Sequence, residues 1–223
     1  VENMYFPYDE GRKVYPLDDG FMMRKPWDES KIPPEKRHLL YENYHPLFIF
    51  RQRMSKQADA ILGMVLHSNY FTEVELRRNY DFYQEVTLHH SSLSTCIFGI
   101  LACRIGYEEE AYTYFAQSAR MDLDDYHDNF YAGIHAANMA GTWQAVVFGF
   151  AGLRVNRGFL ELHPILPEKM KGYEFRFMYR GRLLHVRTGR EGTRVTLLSG
   201  DGVVLWLGDT RHQLLKEGDY VCC

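Results

Sequence analysis

What most limits the folds open to this chain is a change in its apolar period near Val155, helical before it and alternating after it. Between about Pro46 and Gly152, apolar residues recur every three or four positions. Ala58, Ile61, Leu62, Val65 and Leu66 fall on one face of a helix, and Leu93, Ile97, Ile100, Leu101 and Ile105 repeat the pattern after a Ser-rich start. The stretch Glu108 to Met121 opens with three glutamates and carries Arg120 near its end, the charge order a helix dipole favours. A further helix is expected over Ala137 to Phe150, with Met139, Trp143, Val146, Val147 and Phe150 on its core face and Gly152 as its stop. Beyond Val155, Glu174–Tyr179, Leu184–Arg187, Arg194–Leu197 and Val204–Leu207 alternate, separated by Gly181, Gly192 and Gly200-Asp201-Gly202. Short alternating runs joined by glycine turns predict an antiparallel sheet. The reading is an α+β chain, with helices over residues 1–156 and a small β domain over 157–223. Periodicity alone does not separate a helical bundle from part of a helical barrel.

Composition narrows the partners. A net charge of -3 lacks the clustered cations that phosphate backbones need, so no nucleic-acid partner is expected. No apolar run approaches the ~18 residues of a membrane span. Val1-Glu2-Asn3-Met4 is neither basic nor apolar, so no signal peptide is expected, and a cytoplasmic protein fits best. The chain starts without an initiator Met, in an aromatic, Pro-rich segment (Tyr5 to Trp27) with no period, and it reads as a fragment of a larger body. Four cysteines are too few for a disulfide framework. Cys96 and Cys103 are expected to act as small core residues, and Cys222-Cys223 as a disordered tail.

Two segments place polar residues directly before an apolar helix. In His89-His90-Ser91-Ser92-Leu93-Ser94, one serine would need no explanation beyond capping. Three serines and two histidines in six positions exceed one cap, and hydroxyls beside unpaired helix N–H groups make an anion site. In Ala132-Gly133-Ile134-His135-Ala136, Gly133 allows close backbone approach to a ligand and His135 can donate to an anion. A capping or structural histidine explains the same segment, and both readings stay open here. Lys56-Gln57-Ala58-Asp59 begins another helix; Gln57 could bond sugar hydroxyls, while a solvated lysine is the ordinary account of Lys56. No metal site is expected: adjacent His89 and His90 point apart, and Asp122, Asp124 and Asp125 lack calcium-loop spacing and read as a polar loop.

Taken together, Lys56-Gln57-Ala58-Asp59, His89 through Ser94, Ala119-Arg120-Met121-Asp122-Leu123 and Gly133 through Trp143 resemble, in order and spacing, glycoside hydrolase family 65. That family includes maltose, trehalose, kojibiose and nigerose phosphorylases. The resemblance runs from about Tyr5 to Leu207 and implies the last helices of an (α/α)6 barrel followed by a small C-terminal β domain. It implies phosphorolysis of an α-linked glucosyl disaccharide with inversion, inorganic phosphate being the co-substrate and no further cofactor being needed. By that likeness Ser91, Ser92, Gly133 and His135 bind phosphate, and Lys56, Gln57 and His89 contact sugar. The family often has Asp where this chain has His90, so His90 receives no role.

No catalytic residue is assigned within the chain. The family's general-acid Glu belongs to a motif expected upstream of Val1, and Glu73, Glu75 and Glu85 lie outside the family's pattern. The chain alone is therefore expected to be inactive. The exposed flank of a partial barrel favours association, with a second copy or with the missing N-terminal part. Two other functions share these residues: a hydrolase of the same family, such as a trehalase, and a non-catalytic carbohydrate-binding or assembly module. Tyr5, Phe6, Trp27 and Tyr44 serve the last by stacking on sugars, or else simply cover the core.

Overall fold

The Thr72 amide donates to Glu75 Oε2 at 2.8 Å, and Thr72 Oγ1 accepts from the Glu75 amide at 3.2 Å. This reciprocal cap starts a helix that the apolar pattern above did not single out. The computed structural model describes residues 5–34, 44–89, 91–126, 128, 131 and 133–223. Among them the α-helices are α1 (Pro46–Ile49), α2 (Asp59–Leu66), α3 (Glu73–Val86), α4 (Ser94–Ile105), α5 (Glu108–Arg120) and α6 (Ala136–Gln144). The N-terminal segment is irregular as expected, with a 3-10 turn, Phe21–Met23, whose Phe21 is fully buried.

Helix α4 is the centre. Ser94 through Ala102 are all buried, because α2, α3, α5 and α6 pack around it. The direction of each neighbour follows from its contacts. Ser91, just before α4, bonds Gln57, just before α2, and the far ends of the two helices line one cleft through Val65, Leu66, Ile100 and Leu101. Helix α2 therefore runs parallel to α4. A side chain on Gly141 of α6 would meet Cys96, and one on Gly149 would meet Ile100 and Cys103, so α6 is parallel to α4 as well. By contrast, Arg77 at the start of α3 donates to the Ile105 carbonyl at the end of α4 (2.7 Å), making α3 antiparallel. Helix α5 is also antiparallel: it leaves the end of α4 and brings Tyr114 back to His89. Three parallel helices with antiparallel returns between them are the arrangement the (α/α) resemblance implied.

Helix α6 continues as a π-helical stretch, Ala145–Phe150. Its wider turns displace side chains around the axis and split the expected core face. Val147 and Phe150 are buried, whereas Met139 and Trp143 are 49% and 51% exposed. Helix α2 likewise buries Ala58 and Ile61 but leaves Leu62 and Leu66 exposed, a narrower buried stripe than its apolar pattern suggested.

The β part is a sandwich of two four-stranded sheets. One has the order β1 (Arg154–Asn156), β2 (Phe159–Leu162), β6 (Val203–Leu207), β7 (Thr210–Leu214); the other has β3 (Gly172–Tyr179), β4 (Arg182–Gly189), β5 (Gly192–Ser199), β8 (Tyr220–Cys222). Pairing is antiparallel except between β2 and β6, which are parallel. Leu160, Leu162, Leu184, Val186, Val195, Leu197 and Leu205 fill the space between the sheets, and Val147 of the π-helical stretch enters the same cluster. The Tyr173 hydroxyl donates to the Phe150 carbonyl at 2.9 Å, fastening sheet to helices. Contrary to the expectation of a disordered tail, Cys222 is in β8, and Cys223 exchanges backbone bonds with Thr193.

Candidate functional site

The parallel row gives α2, α4 and α6 a common end. Five positions back from Cys96 and from Gly141, which touch, lie Ser91 and Ala136. The helix starts therefore sit at one level, and each brings a polar segment: Lys56-Gln57, Ser91-Ser92 and His135. Their N-terminal N–H groups point to the same end, and their dipoles add there.

The first two segments are laced together. The Ser55 amide donates to the Val86 carbonyl at 2.7 Å, and the Leu88 amide to the Ser55 carbonyl at 3.0 Å. Ser91 Oγ then donates to Gln57 Oε1 at 3.0 Å, and Gln57 Nε2 donates to Asp59 Oδ1 at 3.1 Å. A serine hydroxyl has one proton, so an arriving oxyanion must take that proton over from Gln57. Ser92 is half-buried next to Ser91, and Lys56 is exposed. His89 departs from the others. Its backbone is left-handed (φ +54°), and its ring packs against Phe98 and Tyr114 at 4.6 and 5.6 Å, a packing position within the helical core. His90 and Ala132 lie outside the described residues.

The third segment is held by a residue whose importance the sequence reading missed. Asp122, read there as part of a polar loop, has a side chain only 12% exposed. One of its oxygens accepts the His135 backbone N–H at 3.0 Å, and the other meets His135 Nδ1 at 2.5 Å. An ionised carboxylate only accepts, so Nδ1 carries the proton and Nε2 is the ring nitrogen turned away from Asp122. The signal was available in Ala119–Leu123, one of the motifs that carried the family resemblance. Helix α6 is locked further by buried Asn138, which accepts from Ser118 Oγ and donates to the Ser118 carbonyl, both at 2.7 Å. Gly133 has φ +111°, and a Cβ added there would have nothing within 4 Å, so its backbone conformation, not a neighbouring atom, requires glycine. Asp124 pairs with Arg120, and among the described residues no three potential metal ligands converge. Tyr5 and Phe6 are exposed, while Trp27 and Tyr44 pack on Ile32, Ile49 and Met54.

The hydrogen bond from His135 holds the Asp122 carboxyl below its usual range, and the bond from the Thr72 amide does the same for Glu75. A depressed folded-state value means stability that is present above the unfolded value and lost as pH falls through the folded one. Unfolding followed against pH should show stability falling below about pH 4. Asp122→Asn should make that fall shallower; an unchanged slope would contradict the bond to His135.

Residues 1–144 match the family model of the glycosyl hydrolase family 65 central catalytic domain, and residues 153–214 that of the family's C-terminal domain. The chain is 42% identical over 217 residues to α,α-trehalose phosphorylase of Geobacillus stearothermophilus, covering 97% of this chain and 28% of that protein. It is 34% identical over 201 residues to maltose phosphorylase of Bacillus subtilis, covering 90% and 26%. A putative kojibiose phosphorylase from human microbiome superposes on all of it with a TM-score of 0.87 at 29% identity, over 29% of that structure. The chain thus spans little more than a quarter of the length of these relatives.

Proposed function

The chain belongs to glycosyl hydrolase family 65, and we propose on that basis that it forms the phosphate-holding portion of an inverting disaccharide phosphorylase. The reaction is attack by phosphate on the anomeric carbon of an α-linked glucosyl unit. One phosphate oxygen forms the new C–O bond as the glycosidic C–O bond breaks, and a carboxylic acid protonates the departing oxygen. The products are β-glucose 1-phosphate and the second sugar. An inverting hydrolase needs a base to activate water on the face opposite its acid. Phosphate is its own nucleophile, so the protein must supply one acid and a place to hold an oxyanion.

The observation that carries this reading is the shared end of α2, α4 and α6. Three helix starts share that end, and each carries a polar segment, Lys56-Gln57, Ser91-Ser92 and Gly133 to His135, which supports a donor-rich oxyanion site with little net charge. In a protonated ring, Nδ1–H stays with Asp122 and Nε2–H goes to the oxyanion. Gln57 and Lys56, at the start of α2, contact sugar. The acid comes from elsewhere: Glu73 and Glu75 begin α3, whose antiparallel course puts them at the opposite end, and exposed Glu85 lies 3.9 Å from Arg12. Leu62, Leu93, Met139 and Trp143, all exposed, are the apolar residues that further barrel helices would cover.

Calorimetric titration of this chain with inorganic phosphate is the direct test. His135→Ala, and separately Ser91→Ala with Ser92→Ala, should each weaken one binding event about tenfold or more. The chain alone should show no phosphate-dependent turnover of trehalose, maltose or kojibiose. Binding indifferent to these substitutions, or turnover by the chain alone, refutes the assignment. Relatives named for α,α-trehalose are 42% and 43% identical to this chain, against 34% for maltose phosphorylase, which makes trehalose the first disaccharide to try.

A further inference from the structure

At the other end of the helical layer, α2 and α4 finish against the first sheet. A cleft of about 490 Å³ opens there beside one of about 320 Å³, and the two share Arg104, Phe148 and Arg154. Arg104, in the last turn of α4, is anchored: Nη1 donates to Ser68 Oγ at 2.5 Å and Nη2 to the Ser68 carbonyl at 3.2 Å. It thereby ties the last turn of α4 to the 3-10 turn Ser68–Tyr70 that follows α2. Arg154 and Arg157 come from the sheet side and have no such task. Among the described residues, no hydrogen bond and no ion pair within 4.0 Å engages the Arg154 guanidinium, although Arg154 is half-buried. Glu161 stands across from it in the β1–β2 register but leans to His163, at 3.8 Å. Glu73, on the cleft wall, pairs with Arg77 at 2.7 Å.

The cleft therefore holds more positive charge than its own carboxylates answer. Burial, and then the nearby Arg154, pushes Arg104 down to about 10; burial and Arg154 also lower His163. A half-buried guanidinium without a partner is costly, and a planar donor fork in a cleft suits a tetrahedral or planar oxyanion.

We infer that this cleft binds a small oxyanion, phosphate or a phosphomonoester, on Arg154 and Arg157, with Arg104 fixed behind them by Ser68. The site is at the opposite end from Ser91 and His135 and does not depend on the function proposed for them.

The test is titration of the purified chain with inorganic phosphate at constant ionic strength, in a background carrying Ser91→Ala, Ser92→Ala and His135→Ala. Saturable binding should persist in that background. Adding Arg154→Gln should weaken it about tenfold or more, and Arg157→Gln, at an exposed position where folding is not at stake, by a smaller measurable factor. No saturable binding in the triple background, or binding that neither arginine substitution alters, overturns the site. Failure of the Ser91 and His135 variants to affect phosphate binding, with Arg154→Gln still effective, would count against the proposed function and for this cleft.

Discussion

Gly141→Ala is expected to destabilise the protein by about 1–2 kcal/mol, whereas Gly63→Ala should stabilise it by roughly 0.5–1 kcal/mol. Both glycines are in helices, where alanine is intrinsically better by about 1 kcal/mol because it restricts the unfolded chain. Around Gly63 nothing lies within 4 Å of the added carbon, so only that gain remains. At Gly141 the new carbon would stand 2.5 Å from Cys96 Sγ and 2.9 Å from Cys96 Cβ. Helix α4 cannot retreat, since α2, α3 and α5 pack it from the other sides. Overpacking of this kind costs about 1–3 kcal/mol, enough to outweigh the propensity gain. Cys96→Ala in the same chain removes the closer of the two clashing atoms and should restore much of the loss, making the pair non-additive. Denaturant unfolding of Gly63→Ala, Gly141→Ala, Cys96→Ala and the Gly141→Ala, Cys96→Ala double variant checks this. If Gly141→Ala is as stable as Gly63→Ala, α4 and α6 are not in the register that brings Ser91 level with Ala136.

That register is the part of the fold least legible in the sequence. The apolar period located α2 and α4, and the charge order located α5, each to within a residue or two; alternation marked the hairpin strands β3, β4 and β5, whose inward residues recur at every second position. Helix α3 passed unnoticed although its Thr72–Glu75 cap is a local signal: its buried positions, Leu76, Asn79, Tyr80, Phe82 and Tyr83, include polar and aromatic residues that blur the period. Strand β2 was hidden for another reason. Its partner β6 is more than forty residues away and parallel to it, a pairing no turn signal announces. Among the site residues, the Ser91 and His135 segments stood out because they sit at helix starts. Asp122 did not, since an aspartate in a loop is ordinary until its partner thirteen residues on is seen in space. The packing of His89 was equally invisible: a polar residue inside a recognisable motif gives no sign that its ring rests against Phe98 and Tyr114.

Asp122→Asn is expected to reverse the proton on the His135 ring and to weaken phosphate binding at the shared helix end by about tenfold or more. The asparagine carbonyl can keep the bond from the His135 backbone N–H, so the segment stays in place and the chain still folds cooperatively. Its amide, however, is a donor where the carboxylate accepted. It must therefore donate to Nδ1, and the neutral ring then carries its proton on Nε2. The carboxylate that would balance a doubly protonated ring is lost at the same time, so the oxyanion meets the Nε2–H of a neutral ring, a weaker donor than that of an imidazolium. Nitrogen-15 spectra of the histidines should show the switch from Nδ1–H to Nε2–H for one residue, absent in His135→Ala, and phosphate titration should show the weaker binding alongside it. Two outcomes separate geometry from function. A tautomer that does not change contradicts the contact between Asp122 and His135. A tautomer that changes while phosphate affinity at that end does not would leave the contact standing and remove His135 from the oxyanion site, since a ring nitrogen that touches the ligand cannot exchange charge and proton without altering how tightly the ligand is held.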